Sequence, residues 1–113
     1  MVHCWCYILL LEGNCYYIGM SKDCNIKFRI DQHFEGEGGS RWCAIHATKE
    51  VIYMERFESF NDAWVQEQRK TVEYMKRFGI RKVRGADALN CQKDCYQKNK
   101  LFWIPSELRE LAA

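Results

Sequence analysis

Trp5-Cys6-Tyr7-Ile8-Leu9-Leu10-Leu11, then Glu12-Gly13-Asn14, then Cys15-Tyr16-Tyr17-Ile18-Gly19 is the stretch that decides how this chain folds. The first segment is short, apolar and rich in aromatic and branched residues, which suits a buried strand. Gly13 and Asn14 tolerate the backbone angles of a tight turn. The third segment reads as a second strand, so the two form a hairpin.

The pattern changes beyond the hairpin. Asp23 or Asn25 caps a helix predicted to run to about Phe34. Ile26, Ile30 and Phe34 recur every four residues and are expected to make one buried stripe. The Gly-rich, acidic text from Glu35 to Gly39 is a loop. Val51 to Phe57 alternates, with Val51, Tyr53, Glu55 and Phe57 on one face, and predicts a third strand. Ser59 with Asp62 three residues on resembles a capping box. It opens a long helix over Asn61 to Phe78, with Trp64, Gln68, Thr71 or Val72, Met75 and Phe78 expected to face inward and Gly79 as its stop. Another helix is expected over Ala86 to Lys98. A short last one, Glu107 to Leu111, follows Pro105 and Ser106. The order β-β-α-β-α makes this an α+β domain. We divide it into a core of residues 1–85 and a helical C-terminal extension, 86–113, packed on the same domain.

The composition fits a folded protein. The chain has 113 residues, 48% hydrophobic and 14% aromatic, enough for one core without covalent staples. The longest apolar run, Tyr7 to Leu11, is far too short to span a bilayer. The N-terminus carries neither a basic segment nor a small-residue cleavage site, so an intracellular protein (cytoplasm or nucleus) with no membrane partner is expected. Seven cysteines, an odd number, sit mostly in apolar text and are expected to be free buried thiols. Cys91 and Cys95 have helical spacing suited to a metal, but no second His or Cys pair follows them. The net charge is +2. Between Lys76 and Lys100, however, eight basic residues face only Asp87 and Asp94. Such a segment can contact phosphates, although a charge run is more often a solvated face.

Tyr7 and Tyr17 lie on the two hairpin strands, so both rings can reach one region of the sheet. Arg29 and His33 are four residues apart and share a helical face. Glu67 lies near the inner side of the long helix. Singly, each has an ordinary structural role: strand tyrosines pack, and helix charges meet solvent.

Together these segments resemble the GIY-YIG nuclease superfamily. Tyr16-Tyr17-Ile18-Gly19 contains the Tyr-Ile-Gly half of its signature, and Trp5-Cys6-Tyr7 stands where the Gly-Ile-Tyr half belongs. The text from Asn25 to His33 is similar to the family's Asn-Leu-x-x-Arg-Leu-x-x-His helix. Gly36 to Trp42 resembles its Gly-x-Gly-Gly loop, and Ala63-Trp64-Val65-Gln66-Glu67 its Ala-Leu-x-x-Glu helix. The first triplet here lacks Gly and Ile, and Gly19 to Arg29 is two residues longer than the common spacing. Within the family the chain looks most like the structure-specific junction branch and the stand-alone members coded by large DNA viruses.

The resemblance implies a three-stranded antiparallel sheet flanked by helices. It implies a metal-dependent endonuclease that hydrolyses DNA phosphodiesters, with structure-specific action on branched or damaged DNA in repair or recombination. Tyr7, Tyr17, Arg29, His33 and Glu67 would be its catalytic set, with either tyrosine as general base. Glu67 would hold one Mg²⁺ or Mn²⁺, a hard cation that takes few protein ligands. DNA contacts are expected from Arg41, Trp42, Lys76, Arg77, Arg81, Lys82 and Arg84, with a protein partner for targeting. The alternative is a catalytically silent DNA-binding module or a protein-interaction domain on the same fold.

Overall fold

The computed structural model describes residues 3–36 and 46–85. The expected helices over 86–98 and 107–111, Arg41, Trp42, most of the Gly-rich loop and the Cys91/Cys95 pair lie outside the described residues. The elements are β1 (Cys4–Leu11), β2 (Cys15–Lys22), α1 (Ile26–Glu35), β3 (Thr48–Phe57), α2 (Phe60–Phe78) and β4 (Val83–Gly85), with short 3-10 turns at Asp23–Asn25 and Ile80–Lys82. No helix among the described residues is long and apolar enough to cross a membrane.

The hairpin forms as the sequence predicts, with β1 and β2 antiparallel and Leu11 opposite Cys15. Gly13 and Asn14 both take positive φ, 78° and 57°, which these two residues adopt at least cost. The sheet is larger than the expected three antiparallel strands. Its order is β3-β1-β2-β4, and β4 runs parallel to β2, pairing Tyr16, Tyr17 and Ile18 with Val83, Arg84 and Gly85. Three residues after a glycine and a turn are too short to show strand periodicity, so β4 was invisible in the text.

β1 is central and is covered on both faces, which is why its sequence is almost continuously apolar. Cys6 and Ile8 point to one side and join Ile18, Met75 and Val83, with Val72, Tyr74 and Phe78 packed against them. Tyr7, Leu9 and Leu11 point to the other and join Cys15, with Tyr17, Ile26, Ile30 and Val51. Thus α2 covers the first face and α1 the second. Tyr7, Ile8, Leu9 and Leu11 are wholly buried, and each contributes about 1.5–3 kcal/mol from removal of apolar surface.

Three expected stripes shift. In β3 the pairing slips between Ile8 and Leu9, whose partners are Tyr53 and Val51. Ile52 is thus an extra residue, and Val51 and Tyr53 face opposite sides of the sheet. In α1, Phe34 is 47% exposed, whereas His33 is buried. In α2 the buried residues are Ala63, Glu67, Thr71 and Met75, spaced by four, while Trp64 is exposed. The periodicity was correct, but its phase was set by what the sheet presents. Ser59 caps α2 through a bond from the Asp62 amide, as the sequence predicts.

Candidate active site

The tyrosines and histidine come together on the α1 side of the sheet. Tyr7 lies on β1 opposite Gly19 of β2, and Tyr17 lies two residues earlier on β2, opposite Leu9. His33 enters from α1 and is 1% exposed. Its Nε2 is 2.8 Å from Tyr7 Oη, a buried hydrogen bond between residues far apart in sequence. The ring centres are 5.0 Å apart for Tyr17 and His33, 5.6 Å for Tyr7 and His33, and 6.4 Å for the two tyrosines. The end of α1 is fixed by Gly36, which takes φ 72° and donates its amide to Gln32 and His33 carbonyls. Thr48 Oγ1 donates to the same His33 carbonyl, at 3.1 Å, from the start of β3.

Gly19 explains how the cluster fits. A Cβ there would lie 2.6 Å from Tyr7 Oη, 2.7 Å from Tyr7 Cζ and 2.8 Å from Tyr17 Cε2. The phenol of Tyr7 therefore passes directly over the backbone of its strand neighbour. The glycine of the Tyr-Ile-Gly triplet is there for space. The triplet signalled it, but only the contact supplies the reason.

Burial pushes the His33 imidazolium down from the ordinary 6.5 to about 4, with the Arg29 cation adding to the effect. The ring is thus neutral at physiological pH. Its Nδ1 has no hydrogen-bond partner among the described residues. Arg29 is half-buried one helical turn before His33, so its fork of donors stands beside the aromatic cluster.

Glu67 belongs to α2, in the buried stripe with Ala63, Thr71 and Met75, and Met75 packs against Cys6 and Ile8 of β1. Glu67 is 6% exposed. Gln68 Nε2 approaches its carboxylate at 3.5 Å, and Thr71 Oγ1 bonds its backbone carbonyl at 2.7 Å. The Cys6 thiol is pushed up to about 12 by burial first and by the Glu67 charge second. Cys6 therefore stays a neutral thiol, inert as a nucleophile. Cys4, Cys6 and Cys15 are free and buried, as expected; Cys24 is free but exposed. Among the described residues no group of three His, Cys, Asp or Glu side chains can enclose a metal. A lone carboxylate does not fit zinc, but its hard oxygens fit a largely hydrated Mg²⁺.

The basic residues divide. Lys76, Arg77, Arg81 and Lys82 are exposed around the end of α2 and the turn after it. Arg84 is not on that surface. It is 5% exposed, stands beside Tyr17 in the β2–β4 pairing, and donates from Nη1 to the Val83 carbonyl at 2.9 Å. It was expected among the DNA contacts; the strand that closes the sheet edge holds it buried. Lys82 and Arg84 both oppose the rise that burial imposes on the Cys15 thiol.

The described hairpin, α1, β3 and nearly all of α2 fall within one match. The model of the GIY-YIG catalytic domain matches residues 3–77, well over half of the chain. This chain belongs to the GIY-YIG family. No curated protein and no solved structure matches it significantly. The family is one of endonucleases, so membership implies nuclease activity with DNA as substrate. The GIY-YIG signature here consists of Tyr7, with Tyr17, Ile18 and Gly19, and the structure gathers three of these four around His33.

Proposed function

We propose that this GIY-YIG protein is a metal-dependent endonuclease that hydrolyses DNA phosphodiesters and favours branched DNA, as in repair or recombination. The observation that supports it most is the buried Tyr7–His33 hydrogen bond with Tyr17 alongside. Such a bond orients a phenol toward one task.

In this mechanism Arg29 binds the scissile phosphate through its planar fork, and its charge favours the phenolate form of a tyrosine nearby. Tyr7 or Tyr17 takes the proton of the attacking water. The water oxygen bonds to phosphorus as the ester P–O bond breaks; the water's proton ends on the tyrosine oxygen, and the leaving sugar oxygen keeps the bonding pair and takes a proton from solvent. His33 orients Tyr7 and does not relay its proton, because an imidazole held near 4 is too weak a base. In the tautomer with its proton on Nε2, it donates to the Tyr7 oxygen and stabilises negative charge there. Glu67 would hold the divalent cation, Mg²⁺ or Mn²⁺, which when bound acts as a Lewis acid on the phosphoryl group. Lys76, Arg77, Arg81 and Lys82, with Arg41 and Trp42, would hold the duplex, and a protein partner would supply targeting. An intracellular location, in cytoplasm or nucleus, is part of the proposal.

The test is cleavage of labelled duplex, flap and four-way-junction DNA with Mg²⁺ or Mn²⁺. Cutting is expected to vanish with EDTA and to fall a hundredfold or more, on the order of an electrostatic catalytic group, in Glu67→Gln. The urea midpoint of the variant is measured alongside, so that the loss of cutting is read on folded protein. Binding of all three DNAs with no cutting would leave instead a catalytically silent DNA-binding module.

A further inference from the structure

The GIY-YIG reading leaves one feature unused, the two extra residues between Gly19 and Arg29. In this segment β2 runs to Lys22 and the 3-10 turn follows at Asp23–Asn25. β4 covers only Tyr16 to Ile18 of the outer edge of β2. Beyond that cover, a cleft of about 410 Å³ opens between the end of β2 and α1. Ser21 and Lys22 form its strand wall; Asn25, Phe28, Arg29 and Gln32 form its helix wall, at spacings that share one helical face. Phe28 is 66% exposed there, so its ring face is open to a flat partner. Two cations and two amides line the cleft, and no carboxylate does.

The cleft is held in place. Asp23 accepts from the Trp5 indole at 2.7 Å and pairs with Arg56 at 3.2 Å. The Asp23 amide donates to the His3 carbonyl at 2.9 Å. The indole bond first, and the arginine after it, hold the Asp23 carboxyl below the usual carboxylate range. The lengthened segment is thereby tied to β1 and β3.

We propose that this cleft takes one unpaired nucleotide of the cleaved strand, next to the phosphate at Arg29, and so selects DNA whose strand is unpaired at the cut. The proposal rests on the nuclease reading for the position of the scissile phosphate. Phe28 stacks on the base, Lys22 and Arg29 take the flanking phosphates, and Asn25 and Gln32 offer donors and acceptors to the base edge. A face of aromatic and cation without acid matches a nucleotide and repels nothing on it. A stacked base pair cannot enter, because its base is turned away inside the duplex.

The experiment compares a fully paired duplex with the same duplex carrying one unpaired 2-aminopurine at the cut site. Wild type, Phe28→Ala and Phe28→Tyr are measured for kcat/KM with Mg²⁺, and for 2-aminopurine fluorescence on binding with EDTA. Wild type is expected to favour the unpaired substrate about tenfold or more, the scale of one aromatic–base stack, and to quench the fluorescence. Phe28→Ala should lose both the preference and the quench, and Phe28→Tyr should keep both. An unchanged ratio and quench in Phe28→Ala overturns the proposal, as does a wild type indifferent to pairing. If wild type cuts nothing, the nuclease reading fails. The cleft is then judged by the quench alone: loss in Phe28→Ala supports it, persistence overturns it.

Discussion

Replacing Gly19 by Ala puts a methyl group in place of a hydrogen where the structure has no room. The new methyl would sit 2.6–2.8 Å from Tyr7 Oη, Tyr7 Cζ and Tyr17 Cε2. Ordinary carbon contacts begin at about 3.5 Å, so the rings must retreat by roughly 0.7–0.9 Å. Tyr7 is wholly buried and bonded to an equally buried His33, so it has nowhere to go without moving the histidine. Position 19 does not have positive φ, so the backbone accepts alanine and the whole effect is steric. Overpacking of this kind costs about 1–3 kcal/mol. A shift near 1 Å in a catalytic group costs on the order of a hundredfold in rate. Urea denaturation and kcat/KM on a cleaved DNA measure the two effects. Gly36→Ala is the control: it meets nothing within 4 Å but must hold φ 72°. It should lose roughly 1–2 kcal/mol of stability from backbone strain with little change in rate per folded molecule. Wild-type stability and rate in Gly19→Ala would refute the argument that this glycine exists to admit Tyr7.

His33 should make the fold acid-sensitive. Its folded value of about 4 lies below its unfolded 6.5, so the unfolded chain binds the extra proton. That stability is fully present above 6.5 and is lost as pH falls towards 4, by at most about 3 kcal/mol. Urea midpoints of wild type and His33→Gln at pH 7, 5 and 4 check it: the wild type should lose more on acidification, and parallel losses would contradict the assignment. The arginines and lysines should separate by burial. Arg84→Met should lower stability by roughly 1–3 kcal/mol through the lost buried hydrogen bonding, seen as a lower melting temperature. Arg77→Met and Arg81→Met should leave stability alone and each reduce the salt slope of DNA binding by about one. A normal melting temperature for Arg84→Met would put that side chain back on the surface.

The amino-acid sequence determined the hairpin, α1, β3 and α2, because each of these has its own local signature. The apolar run with Gly13-Asn14 made the hairpin, Ser59 with Asp62 started α2, and Gly36 and Gly79 stopped the helices. It also determined the family and its candidate residues, through short motifs whose spacing survives in the text. The tertiary structure alone decided which faces these residues occupy. Val51 and Tyr53 were parted by an extra residue whose effect depends on pairing with β1. Arg84 was turned inward by a three-residue strand too short to show a pattern. Glu67 was buried near Cys6 by the phase of α2, and the Tyr7–His33 bond joined residues 26 apart. Secondary structure is local and is written in neighbours. Burial phase, strand register and the depth of a charge arise from contacts between distant segments, which no stretch of sequence contains on its own.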